Sequence, residues 1–133
     1  MKADISTLKQ EHKQIMKRLQ QHRLALMAGE IGHAAEILTN LREEQEAHMA
    51  LEETELLPRL NSDARWAEKV YLAEHRKLRE LLDRSLSELD SLPVQIHNNV
   101  LILDLLERGI LFKHVLEHHF EREEMALFTE IHL

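Results

Sequence analysis

Two segments of the sequence carry a histidine followed four residues later by a glutamate. They are His48 with Glu52 and His119 with Glu123. Positions four apart on an α-helix differ by about 40° in direction and lie ~6 Å apart along the axis, so the two side chains can face the same volume. Imidazole nitrogen and carboxylate oxygen together suit divalent iron, manganese or zinc. Both pairs are therefore candidate metal ligands.

The two halves of the chain resemble each other around these pairs. The dipeptide Glu11-His12 precedes the first pair, Glu74-His75 precedes the second, and each pair ends in a doubled glutamate. Each half thus offers one lone histidine and then a His-x-x-x-Glu unit. The candidate metal ligands are His12, His48, Glu52, His75, His119 and Glu123.

These residues lie on four apolar stripes with helical spacing. Apolar residues recur three and four apart in each stripe, which predicts four amphipathic helices. The stripes run from Ile5 to Leu26, from Ala34 to Leu56, from Val70 or Leu72 to Leu89, and from Leu101 to Ile131.

Helix caps and breakers separate the stripes. Asp4 or Ser6 can cap the first helix and Gly29 can end it, while Pro58 and Pro93 stop the second and third. The segment Asn61-Ser62-Asp63 predicts a loop and a helix cap. The last stripe is long for one straight helix, so Gly109 predicts a kink, and Asn98-Asn99 is a second weak point.

Composition supports an all-α protein. Only 3 Gly and 2 Pro occur in 133 residues, and aromatic residues make up 4%, which favours long helices over a β-sandwich. Four helices with short links predict an up-down-up-down four-helix bundle. No linker divides the halves, so residues 1–133 are predicted to form one domain.

Burial is the reason that a metal is expected. All six candidates occupy stripe positions otherwise filled by Leu, Ile or Phe, and two buried carboxylates are costly without a compensating cation. A divalent metal offsets that cost. Two carboxylates on facing helices can bridge two metals, which leaves open positions for water, oxygen or peroxide. Glu53 and Glu124 are turned by a further ~100° toward the rim, which favours Glu52 and Glu123, although the doubled glutamates leave this choice open.

Charge and cysteine content exclude other classes. The net charge is −7 and no basic run could follow a phosphate backbone, so nucleic acid is not an expected partner. No stretch approaches the ~20 apolar residues of a membrane span. The absence of cysteine excludes a thiolate-bound cluster. With a polar N-terminal segment, a cytoplasmic location is the expectation.

The order His…His-x-x-x-Glu…His…His-x-x-x-Glu resembles the hemerythrin-like family, also called HHE cation-binding domains. The resemblance covers about Ile5 to Ile131 and includes the Glu-Glu-x-x-Leu-Leu/Phe segment after each pair. It implies a four-helix bundle with two non-haem irons bridged by the two carboxylates. Roles in the family include binding or sensing oxygen, and responses to peroxide, nitric oxide or iron.

One position departs from the oxygen carriers of that family. They have a fifth histidine four residues after the third-helix histidine, and here that position is Arg79. A guanidinium cannot ligate iron, so it is expected either to hold Glu52 or Glu123 or to turn to the rim. Oxygen carriage is thereby disfavoured, and the resemblance points instead to the sensor and stress-response branches.

The sequence and the resemblance therefore predict a di-iron protein that binds or senses oxygen, peroxide or nitric oxide. Zinc and manganese stay open as alternatives to iron. A peroxide-consuming oxidoreductase and a non-redox metal buffer or interaction module stay open as alternatives, and no dedicated catalytic residue is identified. A protein partner or homodimer also stays open. His22 is expected at a polar end of the core and His114 and His118 on a solvated face, and no special role is expected for His33, His97 or His132.

Overall fold

The first two helices form an antiparallel pair, as the sequence predicts. The computed structural model describes residues 4–132, in which α1 spans Ile5–Met27 and α2 spans Ile31–Leu51. The Asp4 carboxylate accepts a hydrogen bond from the Ser6 amide at 3.1 Å, which caps the first turn. Residues 1–3 and 133, which belong to the predicted domain, lie outside the described residues.

The second helix changes its winding before it ends. From Glu52 to Leu56 the chain forms a π-helical turn, followed by a short 3₁₀ turn at Leu57–Arg59 that contains Pro58. The sequence predicts the stop at Pro58 but not the wider turn. Turns of this kind often lie at functional sites, and this one begins at a candidate ligand.

The third helix, α3, spans Glu68–Asp90. It begins after a loop at residues 60–67, so the segment Asn61-Ser62-Asp63 is loop but does not cap the helix. The predicted stripe began at Val70 or Leu72, whereas the structure buries Tyr71 completely and leaves those two partly exposed. That correction places an aromatic hydroxyl inside the bundle.

The fourth bundle helix is broken in two at the predicted glycine. Helix α4 spans Asn99–Arg108 and α5 spans Ile110–Met125, with Gly109 between them. Asn98 does not weaken a helix but begins one, because its side-chain oxygen accepts from the amides of Val100 and Leu101. A 3₁₀ turn at Leu127–Thr129 follows α5.

Four helices pack as a bundle, with α4 and α5 together counting as the fourth. Each packs against its neighbours in the chain, and the fourth returns beside α1. Backbone hydrogen bonds between the halves close both ends of the bundle. At one end the Asn61 amide donates to the Glu130 carbonyl and the His132 amide to the Arg59 carbonyl, and at the other end the Ile96 amide donates to the Gly29 carbonyl. None of the helices within residues 4–132 has the length and hydropathy that crossing a bilayer requires.

The apolar interior consists of two clusters. The larger fills the end near the α1–α2 turn, and the smaller fills the opposite end. The smaller cluster comprises Leu8, Leu56, Leu57, Tyr71, Leu127 and Phe128. The candidate ligands lie between the two clusters, so apolar side chains separate them from both ends of the bundle.

Gly29 is required by the turn between α1 and α2. Its φ is +74°, and a Cβ there would overlap the carbonyl oxygen of Ile96. We expect Gly29→Ala to lower the free energy of unfolding by at least ~2 kcal/mol, because the left-handed conformation and the overlap both penalise a side chain. The measurement is urea denaturation followed by circular dichroism.

Gly109→Ala is the matched control. A Cβ at Gly109 meets nothing closer than 3.5 Å and the backbone there is right-handed helical. Alanine should therefore be neutral or stabilise by up to ~1 kcal/mol. Similar losses in the two variants would contradict the role assigned to Gly29.

Candidate metal centre

The six side chains singled out from the sequence converge in the interior. None is more than 2% exposed, and both carboxylates are completely buried. Each bundle helix contributes one histidine: His12 from α1, His48 from α2, His75 from α3 and His119 from α5. Glu52 stands at the start of the π-helical turn. The bundle thus encloses four imidazoles and two carboxylates almost completely.

Glu123 divides its two oxygens between the two halves of the chain. Oε1 lies 2.8 Å from His12 Nε2 and 3.5 Å from His48 Nε2. Oε2 lies 2.9 Å from His119 Nε2 and 3.6 Å from His75 Nε2. One carboxylate therefore faces all four imidazoles.

The two oxygens of Glu52 also face different halves of the chain. Its Oε2 lies 3.0 Å from His48 Nε2 and its Oε1 lies 3.2 Å from His75 Nε2. Both carboxylates thus present one oxygen to each half. Two overlapping groups result, each with its ligand atoms within 4.8 Å of one another. We name them position 1, formed by His12, His48, Glu52 and Glu123, and position 2, formed by His75, His119, Glu52 and Glu123.

The outer nitrogen of every ring meets a second carboxylate. The Nδ1 distances are 2.8 Å from His12 to Glu124, 2.8 Å from His48 to Glu11, 2.6 Å from His75 to Glu53 and 3.0 Å from His119 to Glu74. An Nδ1–H that donates to a carboxylate leaves the Nε2 lone pair directed into the site and makes the imidazole a stronger ligand. All four rings are therefore oriented for metal binding.

These outer carboxylates form a closed circuit around the bundle. Glu11 of α1 reaches the histidine of α2, Glu53 beside α2 reaches that of α3, Glu74 of α3 reaches that of α5, and Glu124 of α5 reaches that of α1. We call the four glutamates the outer ring. The sequence prediction turned Glu53 and Glu124 to the rim and assigned the outer ring no role. The Glu-His and Glu-Glu dipeptides, which recur in both halves of the sequence, are the pattern from which the outer ring could have been predicted.

Arg79 points to the rim, one of the two outcomes expected from the sequence. Its guanidinium makes two hydrogen bonds to Glu46, at 2.9 and 3.0 Å, and one to Glu53 at 3.2 Å. It contacts neither Glu52 nor Glu123. Arg122 makes the corresponding contact with Glu74 at 2.9 Å and lies over the ring of Trp66 at 4.2 Å. Both arginines therefore support the carboxylates behind position 2.

Two interior polar groups flank the site without a protein partner. Gln45 is completely buried, and neither atom of its amide group makes a hydrogen bond; the buried Tyr71 hydroxyl also lacks one. Gln45 precedes His48 by three residues and shares its interior layer with Ile15, Leu78 and Leu116, which are equally spaced from the other histidines. Tyr71 occupies the layer on the opposite side. A buried, unpaired amide costs at least ~1 kcal/mol.

Ionisation in the metal-free protein follows from burial and from these contacts. Burial by itself lowers a histidine pKa, but the carboxylates of Glu123 and Glu52 raise the pKa of His48 to about 11 and that of His75 to about 9. Against the same burial, Glu123 and Glu74 raise the pKa of His119 to about 10. Protons thus occupy these rings at neutral pH and must leave when a cation binds.

The two central carboxylates titrate in opposite directions. Burial and the charge of Glu123 raise the pKa of Glu52. Burial also acts to raise the pKa of Glu123, but the charge of His119 outweighs it and holds this pKa well below the usual range. Two adjacent carboxylates without a cation therefore cannot both ionise easily.

The donor set fits a pair of divalent metals. The Nε2 atoms of His75 and His119, both oxygens of Glu52 and one of Glu123 are buried and make no hydrogen bond, although several of them approach within 3.2 Å of one another. Donor atoms that converge on one volume in this way are placed to bind a cation once the rings have lost their protons. Hard carboxylate and imidazole donors suit iron, manganese or zinc.

The other histidines behave as the sequence indicates. His22 is buried, and its Nδ1 donates to the Ala34 carbonyl at 2.8 Å. The remaining five are exposed: His33, His97, His114, His118 and His132. None of these six histidines takes part in the metal groups found among the described residues.

Comparison with known proteins defines the class. Residues 3–71 match the family model of the hemerythrin HHE cation binding domain. This match covers more than half of the 133 residues, and the chain therefore belongs to that family. No curated protein and no solved structure matches the chain. His75, His119 and Glu123 lie beyond the matched segment, where the internal repeat supplies the corresponding residues.

Protonation of the site predicts an alkaline loss of stability in metal-free protein. The pKa values of His75, His119 and His48 in the folded state exceed the ordinary value of 6.5. The stabilisation from the protonated rings is therefore complete below about pH 6.5 and is lost as the pH rises through about 9 to 11. With chelator present, the free energy of unfolding should fall between about pH 7 and pH 10.

Urea titrations at several pH values measure this fall. His119→Gln should reduce it, whereas His118→Gln, which changes the exposed neighbouring histidine, should not. A free energy of unfolding that stays constant or rises over this range would contradict the proton assignment.

Proposed function

We propose that the protein is a non-haem di-iron protein that binds or senses a small ligand, namely oxygen, peroxide or nitric oxide, in redox or stress response or in iron handling. The division of each central carboxylate between two histidine pairs is the observation that carries the proposal. Glu52 and Glu123 each offer one oxygen to position 1 and one to position 2, as a bridging ligand to two metals must.

The six residues His12, His48, Glu52, His75, His119 and Glu123 are the proposed ligands. Each position then has four protein donors, two imidazoles and two carboxylate oxygens, fewer than the six that iron commonly takes. Manganese and zinc would bind the same donors, and iron is proposed because the family resemblance implies it. We also infer that the HHE domain extends over residues 1–133, since the second half supplies three of the ligands.

Bound iron would supply one-electron chemistry and a coordination site for a small ligand. The protein's own contribution is to exclude bulk water and to hold the imidazoles. Apolar layers close the site toward both ends of the bundle, and the outer ring fixes each imidazole. No acid–base side chain beyond these groups has been identified, so binding or sensing is preferred to turnover. The cytoplasmic location and a protein partner or homodimer stay predictions.

Metal content tests the proposed ligands. After anaerobic reconstitution and desalting, we expect two irons per chain. His119→Ala should retain about one, because only position 2 loses an imidazole, and Glu123→Ala should lose most of both. His118→Ala is the matched control on the same helix and should retain two.

Elemental analysis with optical spectra of oxidised and reduced protein measures these outcomes. Retention of two irons by His119→Ala would contradict the ligand assignment. Absence of bound iron in the unaltered protein would contradict the di-iron proposal, and retention of zinc in its place would favour the metal-buffer alternative.

Gln45 tests the small-ligand part of the proposal. Its unpaired amide lies in the layer beside the histidines, so we expect it to hydrogen-bond a ligand bound at the metal pair. Gln45→Leu should weaken azide binding to iron-loaded, oxidised protein by about 2- to 10-fold, the range of one hydrogen bond. It should also stabilise the metal-free protein by ~1 kcal/mol or more, because an unpaired amide is removed.

Optical titration with azide measures the affinity. Leu116→Met, at the position that corresponds to Gln45 in the second half, is the matched control and should leave azide affinity unchanged. An unchanged affinity in Gln45→Leu would assign the amide a structural role only.

A further inference from the structure

The outer ring differs between the two proposed metal positions. Behind position 2, Glu53 and Glu74 contact the guanidinium groups of Arg79 and Arg122 at 3.2 and 2.9 Å. Behind position 1, neither Glu11 nor Glu124 has a lysine or arginine within ion-pair distance in the part of the chain that the structure describes. Two outer carboxylates thus pair with an arginine and two do not.

The internal repeat shows how this difference arises. Residues of α3 correspond to those of α1 with an offset of 63, since His75 matches His12, and the offset from α2 to α5 is 71, since His119 matches His48. Arg79 therefore corresponds to Met16, and Arg122 corresponds to Leu51. The outer ring is common to both halves, whereas the arginines occur in only one.

The consequence for a cation follows from charge. A carboxylate that is free to accept the Nδ1 proton strengthens the imidazole as a ligand and adds negative charge near the metal. A guanidinium that shares this carboxylate reduces both effects. Glu46 also contacts Arg79, but its side chain is 51% exposed, so solvent screens its charge more strongly than that of Glu53, which is 27% exposed.

We propose that the two metal positions are unequal: position 1 binds a divalent cation more tightly than position 2, and Arg79 and Arg122 are the positioning residues that create the difference. This inference rests on the proposed two-metal function. The expected difference in affinity is about 10-fold or more, in line with the effect of altering groups that orient metal ligands. Metals would then enter in order, position 1 first.

Single-position variants test the order. His119→Ala leaves the donors of position 1 intact, and His12→Ala leaves those of position 2. Cobalt(II) affinity, measured by competition with a chromogenic chelator, should be about 10-fold higher in His119→Ala than in His12→Ala. Circular dichroism and thermal unfolding confirm that both variants are folded.

Arginine exchange then tests the cause. In the His12→Ala background, Arg79→Met combined with Arg122→Leu introduces the residue types that the first half has at the corresponding positions. This exchange should raise the cobalt affinity of position 2 toward that of position 1. In the His119→Ala background, the same two changes should have little effect. Arg79→Lys keeps the charge and should give a smaller rise, and Arg42→Met, which breaks an ion pair with Asp83 away from the site, should give none.

The reverse exchange uses Met16. Met16 lines a surface groove with Glu117 and Glu124, the residues that correspond to Glu46 and Glu53, the two partners of Arg79. Met16→Arg in the His119→Ala background should therefore supply the missing contact and weaken cobalt binding by several-fold. Unlike the arginine removals, this variant deletes no existing ion pair.

The outcomes separate the two proposals. Equal cobalt affinities in His119→Ala and His12→Ala, or an arginine exchange that changes both backgrounds equally, would overturn the inequality while leaving the two-metal site intact. Failure of both single-position variants and of the unaltered protein to bind cobalt would overturn the proposed function itself.

Discussion

The structure depends on the burial of two carboxylates in the centre of the bundle. Glu52 and Glu123 are completely inaccessible, and an isolated buried carboxylate would be expensive enough to unfold a domain of this size. Four imidazoles surround them, and in the metal-free protein the protons on His48, His75 and His119 offset the charge of the carboxylates. Since one histidine comes from each bundle helix, the same electrostatic requirement fixes the register of all four helices.

The outer ring connects the buried histidines to the surface of the bundle through hydrogen bonds. Each glutamate of the ring binds the histidine of the next bundle helix, so that no imidazole depends on its own helix for orientation. The side chains of these glutamates are 20–42% exposed, so they remain partly hydrated while their hydrogen bonds reach a dry interior. A substitution in the outer ring would act on a bound cation by changing the orientation of an imidazole and the nearby charge. It would leave the apolar clusters intact.

Helical periodicity explains why much of this could be predicted from the sequence. Spacing alone placed the four histidines on interior faces and selected Glu52 and Glu123 over Glu53 and Glu124, and the structure buries the selected pair. The length of the last stripe and the glycine within it located the break at Gly109. Periodicity describes one helix at a time, however, so contacts between helices, such as that from Glu11 to His48, were not accessible to it.

The remaining errors have local causes. The predicted stripe began at Val70 or Leu72, whereas the buried residue there is Tyr71, which lies four residues before His75 on the same face of the helix and packs in the smaller cluster. The π-helical turn at Glu52–Leu56 was also missed, because no residue type there specifies it. Arg79 could be assigned to the rim only from the structure, which shows Glu46 and Glu53 within its reach.

The internal repeat distinguishes what the bundle requires from what this chain adds. The histidines, the central carboxylates and the outer ring occur in both halves, which is consistent with a common need to bind a cation in each. Gln45, Tyr71, Arg79 and Arg122 occur in one half only, their counterparts being Leu116, Leu8, Met16 and Leu51. Each of these four lies beside the site or behind its outer ring rather than among the proposed ligands. Departures from symmetry at these places leave the donor set equal and alter its surroundings, as does Phe120, whose ring stacks on that of His12 at 3.9 Å and whose counterpart is Met49.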